Sequence, residues 1–247
     1  MNEIGYEGYI GYELCHPLPV VNGQTVGIDF VDANARLAAE YMAGNPEAAR
    51  SEVSQATELW SRRGFFLQHY NALLAKAQIE LYLGRAEDAL ELVNASWREL
   101  TKSLLMRVQV LRIEAYFLRG RARVGSAARS RLNARLAVLA EADAKKIEAE
   151  HMVWSDPLAH LIRSGIAHVQ GRTDDEMAWL RRAIDGFEFA GMGLLSHAAS
   201  YALGTHLGGT EGAGMVEDAH LWMQTQKIKD PPAMARMLIP CAVSPHA

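Results

Sequence analysis

From Asp32 onward apolar residues recur at steps of three and four, the spacing of one helix face turned to a core and the other to water. The pattern is clearest in Phe66, Tyr70, Leu73, Leu74, Ala77 and Leu81, where Gly84 stops it. After Gly84-Arg85-Ala86-Glu87-Asp88 it resumes as Ala89, Leu90, Val93 and Trp97, which predicts a second helix folding back on the first. Such a hairpin cannot bury both faces alone, so it calls for neighbours of its own kind. Turn signals at Gly44, Gly84, Gly125, Gly171 and Gly208-Gly209 recur at intervals of roughly 40 residues, a period typical of helical repeats. The expectation is an all-α solenoid of about five degenerate helical hairpins.

Local chemistry supports the turns. Asn45 is placed to cap a helix with Pro46 at its first position, Thr173 and Glu176 have capping-box spacing, and Asp156-Pro157 and Asp230-Pro231 are further helix starts. Leu104 to Leu118 is apolar nearly all round and predicts a central helix, whereas Ser126 to Met152 carries a narrow stripe of Leu132, Leu136, Leu139 and Ile147 and predicts one long edge helix. Met177, Leu180, Ile184 and Phe187 mark another apolar face, opposite Arg181, Arg182 and Asp185.

Residues 1–31 differ in kind. Tyr9 to Leu14 alternates, with Ile10, Tyr12 and Leu14 on one side, and Pro17 and Pro19 bar its continuation as an inner strand. Asn22-Gly23 is a turn signal, yet no second strand is evident after it. A lone strand leaves backbone groups unpaired, so this segment is expected to be mobile or to pair with another chain. The division expected is an extended segment over 1–31, a helical repeat domain over 32–240 and a tail over 241–247.

Composition narrows the field further. A hydrophobic content of 49% fills a real core, and a net charge of −4 is too mild to imply nucleic acid, a membrane or a polyanion. Arg107 and Arg112 interrupt the greasiest segment before it reaches the about 18 residues a spanning helix needs. Met1-Asn2-Glu3 lacks a secretory start, and Cys15 and Cys241 make no disulfide framework, so a cytoplasmic setting is expected.

Three resemblances follow from particular residues. Gly84-Arg85-Ala86-Glu87-Asp88-Ala89-Leu90 and Gly44-Asn45-Pro46-Glu47-Ala48-Ala49 resemble the tetratricopeptide pattern, with small Ala77 and Ala89 where helices approach. Gly171 to Met177 departs from it by placing Glu176 where Ala belongs. Residues from about 45 to 240 resemble the C-terminal helical region of large bacterial serine/threonine kinases of the eukaryotic type. The carriers are Trp97-Arg98-Glu99-Leu100, Ser103 to Gln109, Trp222-Met223, Gln226 to Pro231 and Ala235-Arg236-Met237-Leu238 with Pro240. That resemblance implies a regulatory or sensor module. The kinase itself is not expected: no Gly-rich loop with its lysine, no His-Arg-Asp and no Asp-Phe-Gly is present. Separately, Gly8 to Pro17 with Val26-Gly27-Ile28-Asp29 and Asn34 to Met42 is similar to the last strand and helix of sugar phosphate isomerase/epimerase TIM barrels. There Glu13 matches a metal-binding glutamate, although the co-ligands of a barrel are missing. The join near residues 32–45 suggests a fusion or a truncated reading frame, with the choice left open.

No constellation of nucleophile, base and orienting group stands out. The nine histidines form no His-Glu-x-x-His motif and read as surface or groove residues, so neither metal nor cofactor is expected. The run Arg119, Arg121, Arg123, Arg129, Arg131 and Arg135 has no interleaved aromatic residue and reads as a solvated turn rather than a nucleic-acid surface. Trp60, Trp97, Trp154, Trp179 and Trp222 are expected between helices. If the first helices of successive pairs line a concave face, Gln68, Lys76, Gln78, His160, Arg163 and His168 fall in it. The function expected is a non-enzymatic protein- or peptide-binding module, its groove favouring an acidic or phosphorylated peptide. A truncated or fused, inactive isomerase remnant is the alternative, and oligomeric state is left open.

Overall fold

The computed structural model describes residues 20–21, 24–25, 43–58, 64–129 and 133–239. Among them the chain is all-α apart from one pair of two-residue strands. The helices are α1 (Pro46–Glu58), α2 (Leu67–Tyr82), α3 (Ala86–Lys102), α4 (Gln109–Ala127), α5 (Asn133–Glu148), α6 (Asp156–Val169), α7 (Thr173–Phe189), α8 (Gly193–Leu207), α9 (Gly209–Thr225) and α10 (Pro231–Leu238), with a 3-10 turn at Leu104–Arg107. From α1 to α9 each helix packs on the next, and α2/α3, α4/α5, α6/α7 and α8/α9 are four complete pairs. α1 precedes these pairs and packs on α2. The helix expected over Asn34 to Met42 lies outside the described residues, as do the strand expected over Tyr9 to Leu14, Glu13, Trp60 and the tail. No helix among the described residues is long and apolar enough to cross a membrane.

The turn glycines do the work their positions imply. Gly44, Gly84, Gly171, Gly208 and Gly209 have φ of 73°, 75°, 68°, 61° and 59°, a region closed to most side chains. Gly191, at φ 69°, separates α7 from α8 and was not among the expected turns. Gly125 is not a turn at all: it is buried within α4, which runs on to Ala127. Asn45 Oδ1 accepts from Ala48 N at 3.2 Å and Asp230 Oδ1 from Ala233 N at 2.9 Å, as their spacing implied. The expected Thr173/Glu176 capping box does not form, because α7 starts from Arg172 without a side-chain cap and the Glu176 carboxylate is engaged elsewhere.

Three expectations about boundaries are corrected. Leu104 to Leu118 is not one helix: Ser103 Oγ caps a 3-10 turn, Val108 is extended, and Leu104 and Val110 are 71% and 52% exposed. Burial on all sides comes later, from Phe117 to Ala127 of α4, which packs on α3, α5 and α6. Ser126 belongs to α4, so α5 is shorter than the expected edge helix, and it buries Ala137, Ala140, Ala144 and Ile147. At the other end of the chain, Val20–Val21 pairs antiparallel with Gln24–Thr25, so a second short strand does follow Asn22-Gly23.

Small residues set the helix spacing. A Cβ on Gly120 of α4 would lie 2.4 Å from Ile162 Cδ1 of α6. Backbones touch where α8 meets α9: a Cβ on Gly212 would lie 2.3 Å from the Gly204 carbonyl oxygen.

α10 breaks the sequential order. It packs on α2 and α8, and Leu238 and Ile239 at its end face Phe117 and Arg121 of α4 and Leu161 and Ile162 of α6. It thus meets α2 and α8 by packing and α4 through the Arg121 bond to Met237, touches α9 as well, and has α6 across a small cavity, which places α2, α4, α6 and α8 on the inner layer. A helix of eight residues is about 12 Å long, so that layer must curve tightly to reach it from both ends.

Candidate functional site

The concave face of the repeat is filled by the chain's own last helix. Asp230 caps α10, Pro231 occupies its first position, and Pro231, Ala233, Met234, Ala235, Met237 and Leu238 are buried. Two guanidiniums tie it in. Arg121 Nη1 donates to the Met237 carbonyl at 3.2 Å, and Arg236 Nη1 donates to the Tyr82 carbonyl at 3.2 Å. Both acceptors lie in the last turn of a helix, where carbonyls lack intrahelical donors and the helix dipole favours a cation. Nearby, Arg129 Nη1 donates to the Gly84 carbonyl at 2.6 Å. Burial and the Asp230 carboxylate push the Tyr82 hydroxyl up to about 12, so it stays protonated at this contact.

The arginine run is not a solvated turn. Arg119, Arg121 and Arg123 are 8%, 4% and 9% exposed, and Asp143 of α5 is 1% exposed. Arg119 Nη2 donates to Asp143 Oδ1 at 2.5 Å, and Arg123 Nη1 donates to Asp143 Oδ2 at 2.5 Å and to the Leu139 carbonyl at 2.9 Å. The Arg119 guanidinium also lies 3.3 Å over the Trp97 ring. Burial lowers the Arg123 pKa, and Asp143 pulls the other way. Arg135 is exposed and Arg131 lies outside the described residues.

Of the six residues expected in the groove, Gln68, Lys76 and Gln78 are half-buried on α2. His160 and Arg163 instead gather around Trp179 of α7, the His160 ring 5.3 Å from it and the guanidinium 5.3 Å above it. Arg163 is already neutralised: it donates to both Glu148 and Glu141 of α5, with Nη2 at 3.1 Å from Glu141 Oε1. Those bonds raise its pKa, while burial and Arg163 lower that of His160 and favour neutral imidazole. Trp97, Trp154 and Trp222 pack against the core, Trp222 stacked on His197 at 4.1 Å.

His168, in the last turn of α6, joins two residues that the spacing of the histidines gave no reason to connect. Its Nδ1 is 3.0 Å from Glu176 Oε1, and His206 Nε2 of α8 is 2.7 Å from the same oxygen. Glu176 is 3% exposed. Burial alone would raise its carboxyl, but the two imidazoles outweigh that and hold it below the usual range, while Glu176 raises His168. Two nitrogens and a carboxylate oxygen are a donor set suited to a divalent transition ion. The one signal in the sequence was Glu176 itself, at the position where the repeat pattern wants Ala.

Compared with known proteins, the chain matches no family model, no curated protein and no solved structure. The resemblances noted above therefore rest on the residues quoted for them.

Proposed function

We propose that this protein is a non-enzymatic interaction module whose concave face takes a short amphipathic helix, and that α10 occupies that face in the free chain. The observation that carries the reading is α10 itself. An eight-residue helix packs on α2 and α8, presents Met234, Met237 and Leu238, and is held by arginine bonds to terminal carbonyls, one of them from α4. Unbranched methionines adapt to irregular surfaces, and backbone-directed arginines read a helix end rather than a particular side chain. The face that holds α10 is thus suited to other helices of similar pattern. With Arg163 neutralised, a partner helix bearing small apolar residues and methionine or leucine fits this face better than an acidic peptide.

The setting we propose is a regulatory part of a signalling protein of the serine/threonine-kinase kind. Ala235-Arg236-Met237-Leu238, which carry part of that resemblance, are residues of α10. Glu13, the residue on which an isomerase remnant rests, lies outside the described residues.

The test uses the full chain carrying Met234→Asp and Met237→Asp, and a fluorescent peptide of residues 229–239. The variant is expected to keep its helical dichroism and bind the peptide saturably. Wild type should bind it at least about tenfold more weakly, because the tethered helix competes at high effective concentration. Global unfolding of the variant, or a folded variant that ignores the peptide, would sink the proposal and make α10 an ordinary part of the core.

A further inference from the structure

The His168, Glu176 and His206 side chains meet where three helices come together. Their ligating atoms all lie within 4.8 Å of one another, and each comes from a different helix: the last turn of α6, the first turn of α7 and the last turn of α8. We propose that this cluster is a binding site for a divalent transition cation of the zinc class, ligated by His168 Nδ1, a Glu176 carboxylate oxygen and His206 Nε2.

Three features favour a cation over a plain hydrogen-bonded cluster. First, both nitrogens converge on one oxygen, Glu176 Oε1, at 3.0 and 2.7 Å. Second, His206 Nε2 is buried and, despite its 2.7 Å approach, is not aligned to make a hydrogen bond. Third, the imidazole rings are inclined at 61° with centroids 5.6 Å apart, so the nitrogens approach from separate directions. Zinc bonds of about 2.0–2.1 Å in a tetrahedron set neighbouring ligands about 3.3 Å apart. The two nitrogen–oxygen separations, 3.0 and 2.7 Å, are shorter than this and the span of the three atoms reaches 4.8 Å, so binding draws the two imidazoles together as the carboxylate withdraws.

The chemistry of the set selects the ion. Two imidazoles and one carboxylate suit zinc and its neighbours, whereas magnesium and calcium prefer all-oxygen shells. The His168 side chain is 32% exposed, so the cluster is reached from solvent at that residue. A bound ion would cross-link α6, α7 and α8 and so stiffen one end of the inner layer.

The test uses the full chain stripped with a chelator and titrated with cobalt(II), then with zinc(II). Wild type is expected to take up one equivalent of cobalt with the intense visible bands of a tetrahedral site, to lose them to zinc, and to melt higher with zinc than without. His168→Gln, Glu176→Gln and His206→Gln should each weaken zinc binding at least about tenfold, while His151→Ala, at an exposed histidine, leaves it unchanged. If Glu176→Gln fails to fold, the partly exposed His168→Gln decides. Wild type without tetrahedral cobalt bands, or binding that survives in His168→Gln, would overturn the assignment.

Discussion

Asp143 sets the largest single stake in the fold. Its carboxylate is 1% exposed and accepts from Arg119 at 2.5 and 3.2 Å and from Arg123 at 2.5 Å, while neither arginine is more than 9% exposed. Asp143→Ala removes the only carboxylate bonded to them among the described residues and leaves two like charges facing each other out of water. Removing one partner of a buried ion pair costs about 3–5 kcal/mol, far more than losing an exposed pair. For a chain of this size each kilocalorie lowers the melting temperature by about 2–4 °C, so a loss of about 4 kcal/mol lowers it by about 8–16 °C. A thermal melt followed by far-ultraviolet dichroism reads this directly. The companion Arg119→Met, Asp143→Leu, Arg123→Met should recover most of the loss, because an apolar replacement of a whole buried ion cluster is often neutral or stabilising. A fall of less than about 2 °C in Asp143→Ala would refute the burial of the triad.

Other outcomes test separate parts of the structure. Gly212→Ala should destabilise by about 1–3 kcal/mol, since the new Cβ meets a carbonyl oxygen at 2.3 Å, and Gly214→Ala on the same helix, with nothing within 4 Å, should stabilise by up to about 1 kcal/mol. Equal effects in the two melts would contradict the α8–α9 contact. The Glu148 and Glu150 carboxyls are held below their ordinary value of 4.5 by Arg163 and Arg112. A depressed carboxyl stabilises above its unfolded pKa and loses that contribution as pH falls through the folded one, so urea midpoints should drop below about pH 4.5, less so in Arg163→Met. A midpoint independent of acid would count against both pairs. Arg121→Met should loosen α10 by about 1.5–3 kcal/mol through the lost charged bond to Met237, raising limited proteolysis after Lys227 and Lys229; unchanged cleavage would remove Arg121 from the groove.

The helical pairs were legible because a solenoid writes its architecture locally. The turn glycines sit at positive φ, and Asn45 and Asp230 cap through bonds three residues long. The buried charges were misread, although each left a trace. In the stripe Leu132, Leu136, Leu139, Ile147, the vacant place is Asp143, and in Leu180, Ala183, Phe187 the preceding place is Glu176. A carboxylate standing in an apolar stripe must find a cation or an imidazole inside the protein. Arg119, Arg121 and Arg123 alternate around a helix that is buried on every side, so they could not all face water. What no local pattern reveals is the partner across the sequence. Arg121 is 116 residues from Met237 and Arg236 is 154 from Tyr82, and only the curvature of the stacked pairs brings α10 back to α2.

Native-state hydrogen exchange on the unmodified chain tests the central claim most directly, that α10 is an occupant of the concave face and not part of the scaffold. Sub-global opening has its own free energy, distinct from global unfolding. The amides of residues 233–239 are expected to exchange through an opening well below the global one, while those of α4 and α6 exchange only with global unfolding. Amides of α10 as slow as those of α4 would contradict the claim.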